Sequence, residues 1–389
     1  MIISCVFGVG YLIVKITNKY KVHDRGIYLL LWLYHLLFTI AYYIKGKSGA
    51  GTMDSRMYYM KGVNSNAYYP MDIKFSLGSD FLFWTSDFIH RVFNLNYLAV
   101  NVVFSSLGFI GLLLFLDVCY SVGYRKNMKY LGVYLLPTLL FFPNIHIWTC
   151  QFSKDSVVFF AIMMVIYSLS KVKTSLLLFL LGSFIVFMIR PHVYIMLGIA
   201  LGTTIFIWGN QSIYLKLPIL IVLSIVGYFA VTFFISKFFG ILSFDIEAIL
   251  NVLDSRRGYY VGKNYSGSSI DTSSYPYPLK VFSYLYRPIF EKPNLNYFIM
   301  GIDNVFALFV ASALWSKRFF YWLKRSPFIV KFCLVFVLVE VSFFANIFSN
   351  FGIAVRQKTM FIYALYIVIF GFIAYMYDLR ESKRSTVIL

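Results

Sequence analysis

The chain has 389 residues, 60% of them apolar and only 13% charged, with a formal net charge of +19. That composition excludes a water-solvated globular surface and describes a chain dissolved in lipid. The positive charge sits mostly in connectors between apolar runs, where it meets anionic headgroups, so nucleic acid is not the partner it implies.

A spanning helix needs roughly 20 mostly apolar residues. Runs of about that size recur along the whole sequence, and the expected fold is all-α: one polytopic membrane domain over 1–389 with about 11 spans. In chain order they are placed at 1–16, 26–45, 97–119, 130–144, 156–170, 175–189, 193–209, 217–239, 296–315, 328–347 and 360–377. The first run has no basic stretch before it and is followed by Lys15, Lys19, Lys21 and Arg25. It is therefore expected to enter with its N-terminus outside and to be no cleavable signal.

The connectors 15–25, 121–129, 171–174, 210–216, 316–326 and 378–389 hold 17 Lys/Arg against 3 Asp/Glu, which places them on the cytoplasmic side. Two long connectors, 46–96 and 240–295, then fall outside. Residues 47–52 of the first are polar and expected to be flexible, leading into Asp54-Ser55-Arg56-Met57-Tyr58-Tyr59. Further on, Ser79 or Asp80 can cap an interfacial helix over 80–94. Phe81, Trp84, Phe88, Val92 and Phe93 share one of its faces, and Asp87, His90 and Arg91 take the other. The second loop carries Asp254-Ser255-Arg256-Arg257 and Tyr275-Pro276-Tyr277-Pro278, and reads as an ordered irregular cap.

Motifs for cofactor chemistry are missing from the sequence. The five histidines never approach a metal-binding spacing, and Cys5, Cys119, Cys150 and Cys333 are scattered as small apolar fillers. Gly46-Lys47-Ser48 lacks the earlier glycine of a phosphate loop, and no Gly-x-Gly-x-x-Gly opens a βα unit. Neither a metal nor a cofactor is expected.

What remains is a set of charges at span boundaries, where an ionisable group is costly enough to be a functional candidate. Arg190 follows an unbroken apolar run and precedes Pro191 and His192; Arg356 precedes the last span; Lys154-Asp155 opens another. Boundary arginines can hold a phosphate bidentately or reach lipid headgroups. Together with Arg56, Arg256 and Arg257 they suggest an outer anion site. Asp155 is expected to cap its helix, and Asp54 to be either a general base or a solvated carboxylate. Asp117, Asp303 and Glu340 are expected to make structural hydrogen bonds.

Four stretches carry a resemblance: Asp54 to Tyr59, Phe142-Pro143-Asn144-Ile145-His146-Ile147-Trp148 leading to Ser153-Lys154-Asp155, Arg190-Pro191-His192, and Asn350-Phe351-Gly352 leading to Arg356-Gln357-Lys358. With the span pattern, they resemble the O-antigen and capsular polysaccharide polymerase (Wzy-like) family of bacterial inner-membrane proteins. An Arg-x10-Gly spacing, seen in an outer loop of that family, recurs at Arg256 and Gly267. The resemblance implies donor and acceptor glycans on undecaprenyl diphosphate, joined at the outer leaflet, with Asp54 or Asp155 as base. It also implies a chain-length regulator and a flippase as partners. The same hydropathy suits a polyprenyl-phosphate-sugar-dependent (GT-C type) transferase, a lipid-linked oligosaccharide flippase or transporter, or an export scaffold.

Overall fold

The computed structural model describes residues 1–21, 25–48, 54–64, 75–125, 127–171, 175–210, scattered positions between 212 and 236, and 268–387. It is helical almost throughout, with one two-stranded hairpin among the described residues. Seven of those helices are long and apolar enough to cross a bilayer, and an eighth candidate is a bent pair. The expected span 217–239 lies mostly outside the described residues, as do Arg256, Arg257 and Gly267.

The chain divides into two compact units, Met1–Arg190 with Ile373–Leu389, and Pro191–Phe372. The first unit begins with α1 (Ile2–Lys19), α2 (Arg25–Lys47), α3 (Asp54–Asn64), α4 (Ser79–Phe93) and α5 (Tyr97–Ser121). After α5 comes the hairpin β1 (Lys129–Tyr130) and β2 (Val133–Tyr134), then α6 (Leu135–Leu140), α7 (Pro143–Thr149), α8 (Lys154–Leu169) and α9 (Leu176–Ile189). α5 is the buried axis of this unit, and α8 packs along it. Small residues on α5 let its neighbours come close: a Cβ on Gly108 would stand 2.4 Å from the Thr149 carbonyl oxygen of α7, and one on Gly111 2.9 Å from Phe159 of α8. The outer faces stay apolar. Ile3, Phe7 and Tyr11 of α1 and Leu177, Leu180 and Phe184 of α9 are exposed, as a lipid solvent permits.

The expected span 130–144 does not form. Leu131 and Gly132, both at positive φ, make the two-residue turn of the hairpin, and Pro143 then starts α7. Paired positive φ values suit the twist of a tight hairpin, so turn chemistry outweighs the apolar run. α7 and α8 meet at 106°, forming a broken span or a re-entrant turn.

The second unit holds α10 (Pro191–Trp208), α11 (Tyr277–Tyr286), α12 (Leu295–Ala311) and α13 (Arg318–Arg325). α14 (Phe328–Ile347) and α15 (Phe351–Lys358) follow, and α16 (Ile362–Val387) passes from this unit into the first. The described end of the 240–295 loop is more regular than the sequence reading, because Tyr277–Tyr286 is helical. Pro276 takes the N-cap position and Pro278 the first turn, where a missing N–H costs nothing. Ahead of it, residues 268–272 are stitched to the break after α14. Ile270 N–H donates to Ser349 O at 2.9 Å, Phe351 N–H to Ser268 O at 2.9 Å, and Thr272 Oγ1 to Phe348 O at 3.1 Å.

Candidate functional site

In the first unit the bend between α7 and α8 gathers the polar groups. Ser153 is the N-cap of α8, its hydroxyl accepting from Ser156 N–H, so the expected capping role of Asp155 is corrected. Asp155 lies in the first turn, where a carboxylate complements the helix dipole. It accepts a 2.7 Å bond from Arg190 Nη2, and the two side chains are 2% and 13% exposed. Arg190 itself ends α9, its N–H donating to Val186 O at 2.8 Å because Pro191 cannot continue the ladder. The Arg190 Nε–H is buried without an acceptor among the described residues. Asn101 of α5 holds the bend from behind, accepting from Phe152 N–H at 3.0 Å. Lys154 is the first residue of α8.

Asp54 does not stand in a flexible segment; it opens α3, in the first turn of that helix. Neighbouring side chains fix α3: Ser55 Oγ is 2.7 Å from Tyr97 OH, Tyr59 OH donates to Leu95 O at 3.2 Å, and Arg56 Nη1 donates to Gly46 O at 2.7 Å. Arg56 thus caps the C-terminal end of α2, where a cation also answers the dipole.

α4 forms nearly as expected, but neither Ser79 nor Asp80 caps it. The N-cap position is Gly78, whose φ of 81° suits glycine and whose N–H donates to Met188 O at 2.7 Å. Phe81, Trp84 and Phe88 stack along the helix, and Phe88, Val92 and Phe93 are exposed. The opposite edge is buried against α3, where Gly62 lets the Ser86 and Asp87 turn come close, and Asp87 takes a 2.7 Å salt bridge from Arg91.

The far end of α8 closes on a different cluster. Asp117 of α5 accepts from Lys19 at 2.7 Å, from the Tyr20 hydroxyl at 2.9 Å, and from Lys171. Arg125 meets Asp378 at 3.2 Å and Glu381 at 3.6 Å. Residues from four connectors read as cytoplasmic therefore take part in these two sets of ion pairs. Asp117 makes the structural bonds expected of it.

The second unit holds His192 and Arg356. The His192 ring lies edge-on to Phe344 at 5.9 Å. Arg356 is on α15, which is capped by Asn350 Oδ1 accepting from Ile353 N–H at 3.1 Å. Two residues on, Lys358 is buried; its Nζ donates to Leu285 O, at the end of α11, at 2.7 Å and also to Asn304 Oδ1. Burial pushes this amine down to about 7, with the nearby Asp303 carboxylate opposing the shift. Arg287 lies in the same unit, bonded to Glu291 at 2.5 Å and stacked on Phe351.

No sequence pattern singles out Arg287, and Lys358 stands out only as the end of Arg356-Gln357-Lys358. The signal for Lys358 was a charge directly against the apolar run 360–377. The structure brings Asp155 and Arg190 together, while His192 and Arg356 belong to the other unit. No group of three or more metal-ligating side chains occurs among the described residues. No family model, no curated protein and no solved structure matches the chain.

Proposed function

We propose that the chain is a polysaccharide polymerase of the bacterial inner membrane, a glycosyltransferase that joins undecaprenyl-diphosphate-linked repeats on the outer side. The observation that carries this reading is the Arg190–Asp155 pair at the start of α8. It lies at the opposite end of that helix from the Asp117 cluster, and 16 helical residues separate the two by about 24 Å, most of the roughly 30 Å apolar thickness of a bilayer. The ion pairs joining Lys19, Lys171, Arg125 and Asp378 to their partners support a common side for those connectors, and their basic charge argues for the cytoplasmic one, with the Arg190 end outside.

In this reading Asp155 keeps Arg190 aimed, and the Nε edge of the guanidinium is left for an anion. A diphosphate leaving group at the headgroup plane would gain from such a donor as its charge develops. Lys154, the first residue of α8, supplies a further contact, whereas Arg56 acts on α2. Asp54, in the first turn of α3, is the proposed base for the acceptor hydroxyl. The stacked aromatic edge of α4 faces the outer leaflet, beside the entry of the lipid tails.

Deletion in the bacterium that carries the protein, followed by a gel of its surface polysaccharide, tests the reaction. A single capping repeat without a ladder is expected. Loss of all surface repeats points instead to a flippase or an earlier step. In purified form, Arg190→Lys is expected to lose turnover nearly as completely as Arg190→Ala, because an ammonium cannot reproduce a guanidinium's paired bonds.

A further inference from the structure

His35, in the middle of α2, and His146, in α7, are both fully buried, and their Nδ1 atoms lie 2.7 Å apart. His35 Nε2 faces Ser105 O of α5 at 3.2 Å, and His146 Nε2 faces Leu140 O at 2.7 Å. A carbonyl only accepts, so each Nε2 contact asks for an N–H, and the contact between the rings asks for one more. Two neutral imidazoles carry two N–H groups for these three places. The distances rank the places. The two 2.7 Å contacts take the protons, as His146 Nε2–H to Leu140 O and His35 Nδ1–H to His146 Nδ1. His35 Nε2 is left with a lone pair against the Ser105 carbonyl, at the longest of the three distances. One added proton completes the chain without any atom having to move.

We propose that the His35–His146 dyad is a proton-binding site, which takes up one proton at His35 Nε2 and shares the resulting charge across both rings. The spacing suits a proton and not a metal: nitrogens bound tetrahedrally to zinc at about 2.0–2.1 Å stand roughly 3.3 Å apart. Aromatic rings enclose the charge. Phe38 stacks on His146 at 5.7 Å, Tyr34 meets it edge-on at 4.9 Å, and Trp32 stacks on His35 at 6.0 Å.

The surrounding helices carry charged groups of their own. On α2 they are Arg25, Lys45 and Lys47, the nearest about 15 Å along the axis from His35. On α5 there is Asp117, about 18 Å beyond Ser105, and α7 has no ionisable residue besides His146 itself. Lys15 and Lys19 of α1, Asp54, Arg56 and Lys61 of α3, and Lys154 and Asp155 of α8 complete the set. The titratable Tyr34 faces His146 from α2, and Tyr42 and Cys150 flank the same region. Because His146 belongs to the short arm of the bend, proton occupancy is linked to the α2–α5–α7 junction. This site does not depend on the proposed polymerase reaction.

The test is nitrogen NMR of the full-length protein, labelled at histidine and held in lipid nanodiscs, over the pH range in which tryptophan fluorescence reports it folded. His35→Asn and His146→Asn assign the two rings, and either one that folds suffices for the assignment. At alkaline pH one nitrogen of His35 is expected to be of the unprotonated type and both Nε2 of His146 and Nδ1 of His35 of the N–H type. On acidification that one nitrogen should convert, one proton per molecule. The midpoint should move by at least one pH unit in whichever single variant retains the other ring. A His35 Nε2 that stays unprotonated down to the acid limit of folding, or two rings that titrate independently, would overturn the proposal.

Discussion

Two helix breaks, one in each unit, solve the same problem by different chemistry. At the start of α8 a cation and an anion are buried together, Arg190 against Asp155. At the end of α15 the buried cation is a lysine whose partners are the Leu285 carbonyl and the Asn304 amide. A guanidinium cannot give up its charge, so it needs a carboxylate or a phosphate. An amine can, and burial has already moved Lys358 to a titration near neutrality. The first break is therefore a permanent charge site and the second a charge site only in part of the pH range.

The largest expected effect comes from breaking the first arrangement. Asp155→Ala leaves a guanidinium largely buried without its carboxylate and should cost about 3–5 kcal/mol of stability, read as a fall in the midpoint of thermal unfolding in nanodiscs. Asp155→Leu combined with Arg190→Met should recover most of that loss while abolishing any anion binding. Equal damage from the single and double variants would mean that the pair is not what holds the bend.

Lys358→Met should cost less, and its cost should depend on pH. Above pH 7 the folded protein holds the amine neutral while the unfolded chain still binds the proton, so wild-type stability rises with pH until the unfolded lysine titrates near about 10.4. The slope approaches roughly 1.4 kcal/mol per pH unit while the two states differ by one proton. Methionine lacks this gain, so the variant should fall further behind wild type at pH 9 than at pH 6. A constant difference between the two would show that Lys358 does not change protonation on folding.

Gly108→Ala probes how tightly the first break is seated. The added methyl would stand 2.4 Å from the Thr149 carbonyl oxygen, a backbone atom at the end of α7 with little room to give, and a loss of about 1–3 kcal/mol is expected. The smallest effects should come from the caps. Ser153→Ala and Asn350→Ala should each cost about 1 kcal/mol by thermal unfolding. Asn350 should be the more costly, because its Oδ1 accepts from Ile353 N–H and Ser268 Oγ at 3.1 and 3.0 Å, shorter than the 3.3–3.4 Å contacts of Ser153 Oγ. The reverse order would place the stronger anchor at α8.

Much of this architecture was legible before any coordinates. α2, α5 and α14 are long apolar runs, each with a basic connector at one end, and a run of that length has few other physical solutions. The misreading at 130–144 came from a Leu131-Gly132 turn inside an apolar stretch, where hydropathy is blind to backbone sign. α3 and α11 were read as loops because both are short and rich in polar residues, tyrosine or proline, and their helices rest on side-chain ties to neighbours distant in sequence. The site was legible as residues and not as pairs. Asp155 and Arg190 both stood out as boundary charges, but nothing in a separation of 35 residues says that they touch. The histidines show the limit more sharply, since local spacing held no trace of a contact between rings 111 residues apart.

That separation has a consequence in time. A ribosome adding about 5–20 residues per second makes His35 roughly 6–22 s before His146. Ser105 emerges sooner, 70 residues after His35, so the Ser105 carbonyl is the first distant group that the imidazole can meet. During the interval a lone ring must wait in lipid or at its edge, and a chaperone or insertase that shelters α2 would have a defined period in which to act.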